Sequence, residues 1–328
     1  MNPSILGYGE ILFRYSIDKE EIYKNESQDK YIGGSELNVI ISLASRGHYC
    51  EFLTSIPSGN QNIEILDLLD QHKVIRDKID FAEGRIGKYY AKNLTSKKSL
   101  EITYDRKNTC FSKFYLSDEL IELALKDKNF LIISGITPPL SETCMKNTHR
   151  IVDAAKTKGI KIIYDINYRK QLWSKDQARA FNLQILDKVD FLFTNYGAAS
   201  EFLDIPLKET NTIDEVVYES KNLISRLKNV SAFELIAFNI RNRIDDNNNC
   251  FSSLICFENN YYTGNIVRTK IVDCIGGGDS FMAAVMHGYF KKWNWNKVAD
   301  YAAKTFAITH SLKGDQNTLS DDKIIDFK

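Results

Sequence analysis

Apolar and β-branched residues gather into short runs through the middle and C-terminal half of the chain. They are FLIISG at 130–135, KIIYDIN at 161–167, FLFTN at 191–195 and ELIAFNI at 234–240. The first three begin about 30 residues apart, the length of one strand–helix–strand unit. Between them, stretches 141–158 and 174–188 place their apolar residues at helical period. Apolar strands alternating with amphipathic helices predict an α/β fold, with a mostly parallel sheet covered on both faces. Ligands of such sheets sit beyond the carboxyl ends of the strands. The polar residues that close these runs, Asp165, Asn167 and Asn195, are therefore the first candidates for function.

Two regions depart from this rhythm. Segments of about 9–32 and 85–106 hold strand-like alternations (EILFRYSI, GKYYAKNL, LEITYDR) with no helix between their pieces. They predict a small antiparallel sheet apart from the main one. A flap of that kind can cover a site and exclude water. The Asp/Asn-dense RNRIDDNNN at 241–249 predicts a hairpin turn before the strand CFSSLICF. No repeat, low-complexity tract or linker interrupts the chain, so residues 1–328 read as one domain with the flap inserted in it.

Composition acts mainly by exclusion. Lys+Arg and Asp+Glu both number 43, and a net charge of zero argues against a nucleic-acid binder. Hydrophobic residues at 43% and charged residues at 26% suit a chain that buries a real core. The cysteines (Cys50, Cys110, Cys144, Cys250, Cys256, Cys274) are scattered, without C-x-x-C pairs or a histidine cluster. They read as reduced thiols, not as a disulfide framework or zinc site. No apolar run approaches the roughly 18 residues of a membrane span, and the opening MNPSILGYGEILFRYS lacks a signal-peptide pattern. The expectation is a cytoplasmic protein with neither membrane nor nucleic acid as partner.

The sharpest chemical feature is Val272-Asp273-Cys274-Ile275-Gly276-Gly277-Gly278-Asp279-Ser280, leading into the apolar FMAAVMHGYF. A strand-like lead-in runs into three glycines, and a helix is expected from Asp279. Successive glycines let backbone N–H groups face one concavity, and a helix start adds partial positive charge. That combination suits a phosphoryl group. Asp is also a common helix cap, but capping does not call for three consecutive glycines. A second segment, Tyr31-Ile32-Gly33-Gly34-Ser35-Glu36-Leu37-Asn38, precedes the helical pattern VIISLASRG, which ends in Gly47.

The first segment resembles the C-terminal signature of PfkB (ribokinase-family) sugar kinases, D-T-x-G-A-G-D. The second resembles the family's G-G-x-x-x-N followed by a helix that ends in Gly. The resemblance implies a ribokinase-like, doubly wound α/β domain with a β lid, using ATP and Mg2+. It implies Asp279 as the base that takes the acceptor hydroxyl proton, with Gly276, Gly277 and Gly278 as the anion hole. Gly277 stands where the family has Ala, and Cys274 where it has Thr.

The chain is most similar to the 2-keto-3-deoxygluconate kinases, through GRIGKYY (84–90), ITYDR (102–106), SGITPPL (134–140) and DINYRKQLW (165–173). That likeness implies a sugar-acid site in which Arg169 binds the acid end, since a guanidinium fork matches a carboxylate. Tyr89, Tyr104 and Arg106 would reach down from the lid. Gly33, Gly34 and Asn38 would hold the sugar from below, with Ile136, Asp165 and Asn167 beside it. Read without the resemblance, Arg169 is a surface ion-pair partner, and Tyr89 and Tyr104 fit cross-strand packing and a role at the site equally well. Trp173 and the Pro138-Pro139 pair read as structural.

Two departures concern the nucleotide side. Many members carry N-x-x-E near the metal. Here Asn195 is followed by Tyr-Gly-Ala, so Ala198 takes the Glu position and the Mg2+ ligands stay unassigned. The family's glycine-bearing nucleotide segment is replaced by AFNIRNRIDDNNN, where Arg241 is the candidate for phosphate or ribose. SLKGDQNTLS (311–320) resembles the closing loop near adenine, which brings in Gly314. Fructose, 2-keto-3-deoxygalactonate, and a non-catalytic sugar-acid binder on the same fold remain as alternatives. A homo-oligomer formed through the lid is a further expectation.

Overall fold

The computed structural model describes residues 3–18, 29–93, 101–243 and 249–327. Its strands in chain order are β1 (Ser4–Tyr8), β2 (Leu12–Asp18), β3 (Asp29–Gly33), β4 (Tyr49–Pro57), β5 (Ile79–Ala82), β6 (Gly87–Asn93) and β7 (Glu101–Asp105). There follow β8 (Phe130–Ser134), β9 (Lys161–Asp165), β10 (Phe191–Asn195), β11 (Leu235–Arg243), β12 (Asn249–Phe257), β13 (Asn260–Thr263) and β14 (Val267–Thr269). The main sheet has the order β13-β12-β11-β10-β9-β8-β1-β4-β5, with β14 paired to β12. From β11 to β5 every pairing is parallel, and β12 to β14 add an antiparallel end.

Both faces of this sheet are covered, which explains the near-continuous apolar runs. Phe130, Ile132, Ile163, Phe191 and Phe193 face the helices Ser35–Ser45, Gly277–Phe290 and Trp295–His310. The alternate residues Leu131, Ile133, Ile162, Tyr164 and Leu192 face Glu142–Thr157, Lys175–Ile185 and Ile213–Leu227. The helices expected at 141–158 and 174–188 begin on Ser141 and Ser174, whose hydroxyls cap them. Residues Leu186–Lys188 close the second as a 3-10 turn. Trp173 packs on Phe181 and Pro138–Leu140 forms a 3-10 turn, so both sit as structural residues.

Strand β1 lies between β4 and β8, so the chain leaves it in one direction and returns on its other side. Such a reversal opens a crevice at the carboxyl ends of the strands. The four-stranded lid stands over it in the order β3-β2-β6-β7. Its outer pairs are antiparallel, whereas β2 and β6 at the centre run parallel. The helix Ser35–Ser45 and strands β4 and β5 intervene between them, and a crossover of that length permits parallel pairing where a hairpin does not. In β7 the side chains alternate: Ile102 and Tyr104 are half-buried on the cleft side, while Glu101, Thr103 and Asp105 are exposed.

Strands β11 and β12 pair antiparallel from Leu235↔Phe257 to Arg243↔Asn249, as a hairpin requires. The expected turn at 244–248 lies outside the described residues. All six thiols are free; five are buried and Cys274 is half-buried on the cleft. Among the described residues no helix is long and apolar enough to cross a membrane.

Candidate active site

A cleft of about 500 Å³ lies between the lid and the carboxyl ends of the parallel strands. That volume suits a small ligand. Its base is the glycine run. The helix begins at Gly277, not at Asp279, with Gly276 as its N-cap residue. The expected start at Asp279 was two residues late, because glycines are tolerated where amides still await partners. The first internal bond runs from the Ser280 amide to the Gly276 carbonyl, so the amides of Gly277, Gly278 and Asp279 have no helical acceptor. The first helix likewise starts at Ser35, ahead of the expected VIISLASRG, which puts Ser35 and Asn38 in its first turn.

Two of the three glycines have specific steric reasons. Gly276 has φ +74°, and a Cβ there would lie 2.0 Å from the Asp315 carbonyl oxygen. A Cβ on Gly277 would lie 2.2 Å from Cε1 of His310, whose ring fills that space. The departure from Ala at this position is thus tied to a bulky neighbour. His310 donates from Nδ1 to the Phe306 carbonyl at 2.8 Å.

Asp279 does not cap its helix. Its carboxylate accepts from Ser35 Oγ at 2.8 Å and from Asn38 Nδ2 at 2.7 Å. Asn167 Nδ2 donates to Ser35 Oγ at 2.8 Å, and Gln316 Nε2 donates to Asn38 Oδ1 at 2.8 Å, which turns the Asn38 amide toward Asp279. The Asn167 amide donates in turn to Asp165 Oδ1 at 3.0 Å, from a backbone with φ +38°. Burial raises the Asp279 carboxyl above the ordinary Asp range, against these hydrogen bonds and the Arg169 charge. A half-buried carboxylate held by two donors beside unpartnered amides can accept a hydroxyl proton next to an anion site.

Of the residues singled out from the sequence, the cleft wall brings together Gly34, Asn38, Tyr89, Tyr104, Arg106, Ile136, Asp165, Asn167 and Arg169. On its other side it gathers Asn195, Arg241, Gly276, Gly277, Gly278 and Asp279. Gly33 and Gly314 are not on it. Gly33 packs against the Asp315 carboxylate, and the Gly314 amide donates to Asp273 at 3.3 Å. Tyr89 and Tyr104 are cross-strand neighbours that also face the cleft, with ring centroids 6.1 Å apart. The Tyr89 hydroxyl is already given to Asp315 at 2.8 Å. Arg106 donates from Nε to Glu10 at 2.6 Å, leaving Nη1 buried without a partner among the described residues. Arg169 donates to the Tyr168 carbonyl and forms no ion pair among the described residues.

Several residues of the site escaped the sequence reading. Ser35 and Asp315 each sit next to a motif glycine, the one signal that could have marked them. Phe306, His310, Thr210 and Asn242 carry no local signal, since only tertiary packing brings them to the cleft. For a metal, the donor set is thin. Asn195 Oδ1 accepts from the Ala198 amide at 3.0 Å, Ala198 offers a methyl, and no cluster of three metal-ligating side chains occurs among the described residues. The residues present do not make a protein cage for Mg2+, an ion that commonly binds through phosphates and water instead.

Burial also raises the Glu36 and Asp165 carboxyls to about 7, and Asp315 to about 6. The native state therefore holds these protons more tightly than the unfolded chain. The stability they lend is complete below the unfolded pKa, near pH 4, and is lost as pH rises through 7. His48 and His310, pushed down to about 4 by burial, act oppositely, but only up to about pH 6.5, where the unfolded imidazole also loses its proton. Between about pH 6.5 and 8 the carboxyls act alone; above that the buried Cys50 and Cys144 thiols, raised by burial, also lower stability as their unfolded forms ionise. The expected result is a stability of the ligand-free protein, read as Tm, that falls between about pH 6.5 and 7.5 and flattens toward pH 8, with a slope of at most about 1.4 kcal/mol per pH unit for each carboxyl. Glu36→Gln, which keeps an acceptor for Ser134 and Thr137, should flatten part of the decline. A wild-type Tm that is level over this range would contradict it.

Residues 2–230 match the sequence model described as pfkB family carbohydrate kinase. The chain belongs to that family. It is a carbohydrate kinase, a phosphotransferase with an alcohol group as acceptor. The kinase is 25% identical over 325 residues to the 2-dehydro-3-deoxygalactonokinase of Haloferax volcanii, covering 99% of this chain and 96% of that one. The structure of 2-dehydro-3-deoxygluconokinase from Thermotoga maritima superposes with a TM-score of 0.90 at 27% identity, over 98% of both chains. A protein described as ribokinase II of E. coli, solved with ATP and Mg2+, superposes with a TM-score of 0.80 over 98% of this chain and 99% of its own. At 16% identity that likeness speaks to fold alone. The family and fold expected from the two glycine segments therefore hold.

Proposed function

We propose that the kinase transfers the γ-phosphoryl group of ATP to the terminal hydroxyl of 2-keto-3-deoxygluconate, in the cytoplasm. Asp279 takes the hydroxyl proton as the oxygen forms its bond to phosphorus, and ADP leaves with the electrons of the broken P–O bond. The amides of the Gly276–Gly278 turn hold the charge on the phosphoryl oxygens, and Arg241 and Asn195 lie on the nucleotide side. Mg2+ would arrive with the ATP phosphates. The lid over the cleft limits access of water, which would otherwise compete for the phosphoryl group. The free edges of β3 and β7 offer a place for a second copy of the chain.

The observation that carries the reading is Arg169, a guanidinium on the cleft wall that forms no ion pair among the described residues, although its charge reaches Asp165 and Asp279. Arg106 adds a buried Nη1 without a partner among the described residues. A half-buried guanidinium facing the cleft and a buried donor beside it call for acceptors from the ligand, and a carboxylate presents two in matching geometry. The names of the Thermotoga and Haloferax relatives point to 2-keto-3-deoxy sugar acids of two configurations, and the galacto epimer is the second reading. ATP turnover against both epimers, fructose and ribose tests this. Wild type should favour the acids, and Arg169→Ala should raise KM for them at least tenfold while changing kcat less. Equal kcat/KM for acids and neutral sugars would sink the proposal.

A further inference from the structure

Arg14 comes from the middle of lid strand β2, yet its side chain is only 2% exposed and lies between two carboxylates outside the lid. Nη1 donates to Asp315 Oδ1 at 2.7 Å, and Nη2 donates to Asp273 Oδ2. Nε and Nη2 also donate to Ser16 Oγ at 3.2 and 3.0 Å, while the Tyr31 ring covers the guanidinium at 4.6 Å. Both acceptors belong to the segments that shape the glycine turn. Asp273 opens the motif, and its Oδ1 accepts from the Ile275 amide at 3.1 Å. Asp315 accepts the Tyr89 hydroxyl from strand β6, and its carbonyl occupies the space beside Gly276.

Arg14 from β2 and Tyr89 from β6 therefore tie two lid strands to the segments that hold the Gly276 turn, with Arg14 reaching both of them. Lifting the lid would leave two buried carboxylates without their cation, which is strongly unfavourable. A lid position that satisfies Arg14 is also one in which Asp273 and Asp315 are held fixed. We propose that Arg14 is a positioning residue for phosphoryl transfer: its docking between Asp273 and Asp315 couples closure of the lid to the geometry of the Gly276–Gly278 turn. This rests on the reading of that turn as the anion hole. Arg14 itself touches neither sugar nor nucleotide, since its donors are spent within the protein.

The test compares Arg14→Lys and Arg14→Met with wild type, each checked for folding by circular dichroism and thermal melting. Measurements are kcat, KM for sugar and for ATP, and the ratio of ADP released to sugar phosphate formed. A lysine keeps the charge but, as a single ammonium, does not reproduce the two-sided fork. The expected result is at least a tenfold loss of kcat in Arg14→Lys and a larger one in Arg14→Met. Sugar KM should move less than threefold, and the ADP ratio should rise above the wild-type value as water gains access. Variants that melt earlier but keep wild-type kcat and ADP ratio would show a merely structural ion pair and overturn the proposal. If Arg14→Met does not fold, Arg14→Lys alone decides. The measurement uses whichever sugar the wild type turns over, so an error in the substrate reading leaves it intact. Should Asp279→Asn be inactive while Arg14→Lys matches wild type, the coupling fails and the base assignment stands.

Discussion

Asp279→Asn is expected to lower kcat about 10³-fold, some 4 kcal/mol of barrier, within the range of a positioned general base. The substitution is nearly isosteric and keeps the local network. The new amide oxygen can accept from Asn38 Nδ2, while its nitrogen faces Ser35 Oγ, so the helix start and the fold should survive. Affinity for the sugar acid should change little, because what is lost is a proton acceptor that matters in the transition state. In wild type the raised carboxyl implies that kcat/KM falls as pH drops through a value above the ordinary Asp range. Steady-state kinetics together with calorimetric binding separate these effects. A variant with kcat within tenfold of wild type would remove Asp279 from the chemistry.

Gly276→Ala comes second, with an expected loss of about 10²-fold in kcat, the scale of misplacing one oxyanion donor. Two costs act together. The backbone has φ +74°, where a side chain adds roughly 1–2 kcal/mol. The new methyl would also meet the Asp315 carbonyl at 2.0 Å, a backbone atom with little freedom to retreat. The turn must then move, and the amides beyond it move as well. Gly278→Ala is the informative companion, since the nearest atom to its Cβ is Asn239 Nδ2 at 3.9 Å. It should leave Tm unchanged and act, if at all, through KM for ATP. Equal loss of Tm in the two variants would contradict the steric account of Gly276.

The parallel strands themselves were legible because both faces of the sheet are buried, and burial on both faces leaves a continuous apolar run such as FLIIS. The polar strand ends Asp165 and Asn195 were legible for the same reason, as the first positions where that demand stops. The glycine run showed itself through a composition that helix capping does not explain. What stayed hidden depends on contacts across the fold. Strands β2 and β6 alternate as any strands do, and only the intervening crossover dictates their parallel pairing. Ser35, Asp315 and His310 look ordinary in one dimension. Their importance lies in Asp279, Arg14 and Gly277, which reach them from distant parts of the chain. Gly33 and Gly314 also sit in motifs; in the fold Gly33 packs on the Asp315 carboxylate and the Gly314 amide donates to Asp273.

The contact between Gly277 and His310 bears on how this sequence can change over generations. A methyl at position 277 has no room while the imidazole is present. Removing the imidazole first merely opens a small space beside two aromatic rings, Phe251 and Phe306. The two substitutions are therefore permitted in one order and obstructed in the other. A lineage that acquires the histidine has closed the direct route back to alanine at the glycine turn, and any return must begin thirty-three positions away, at the end of a different helix.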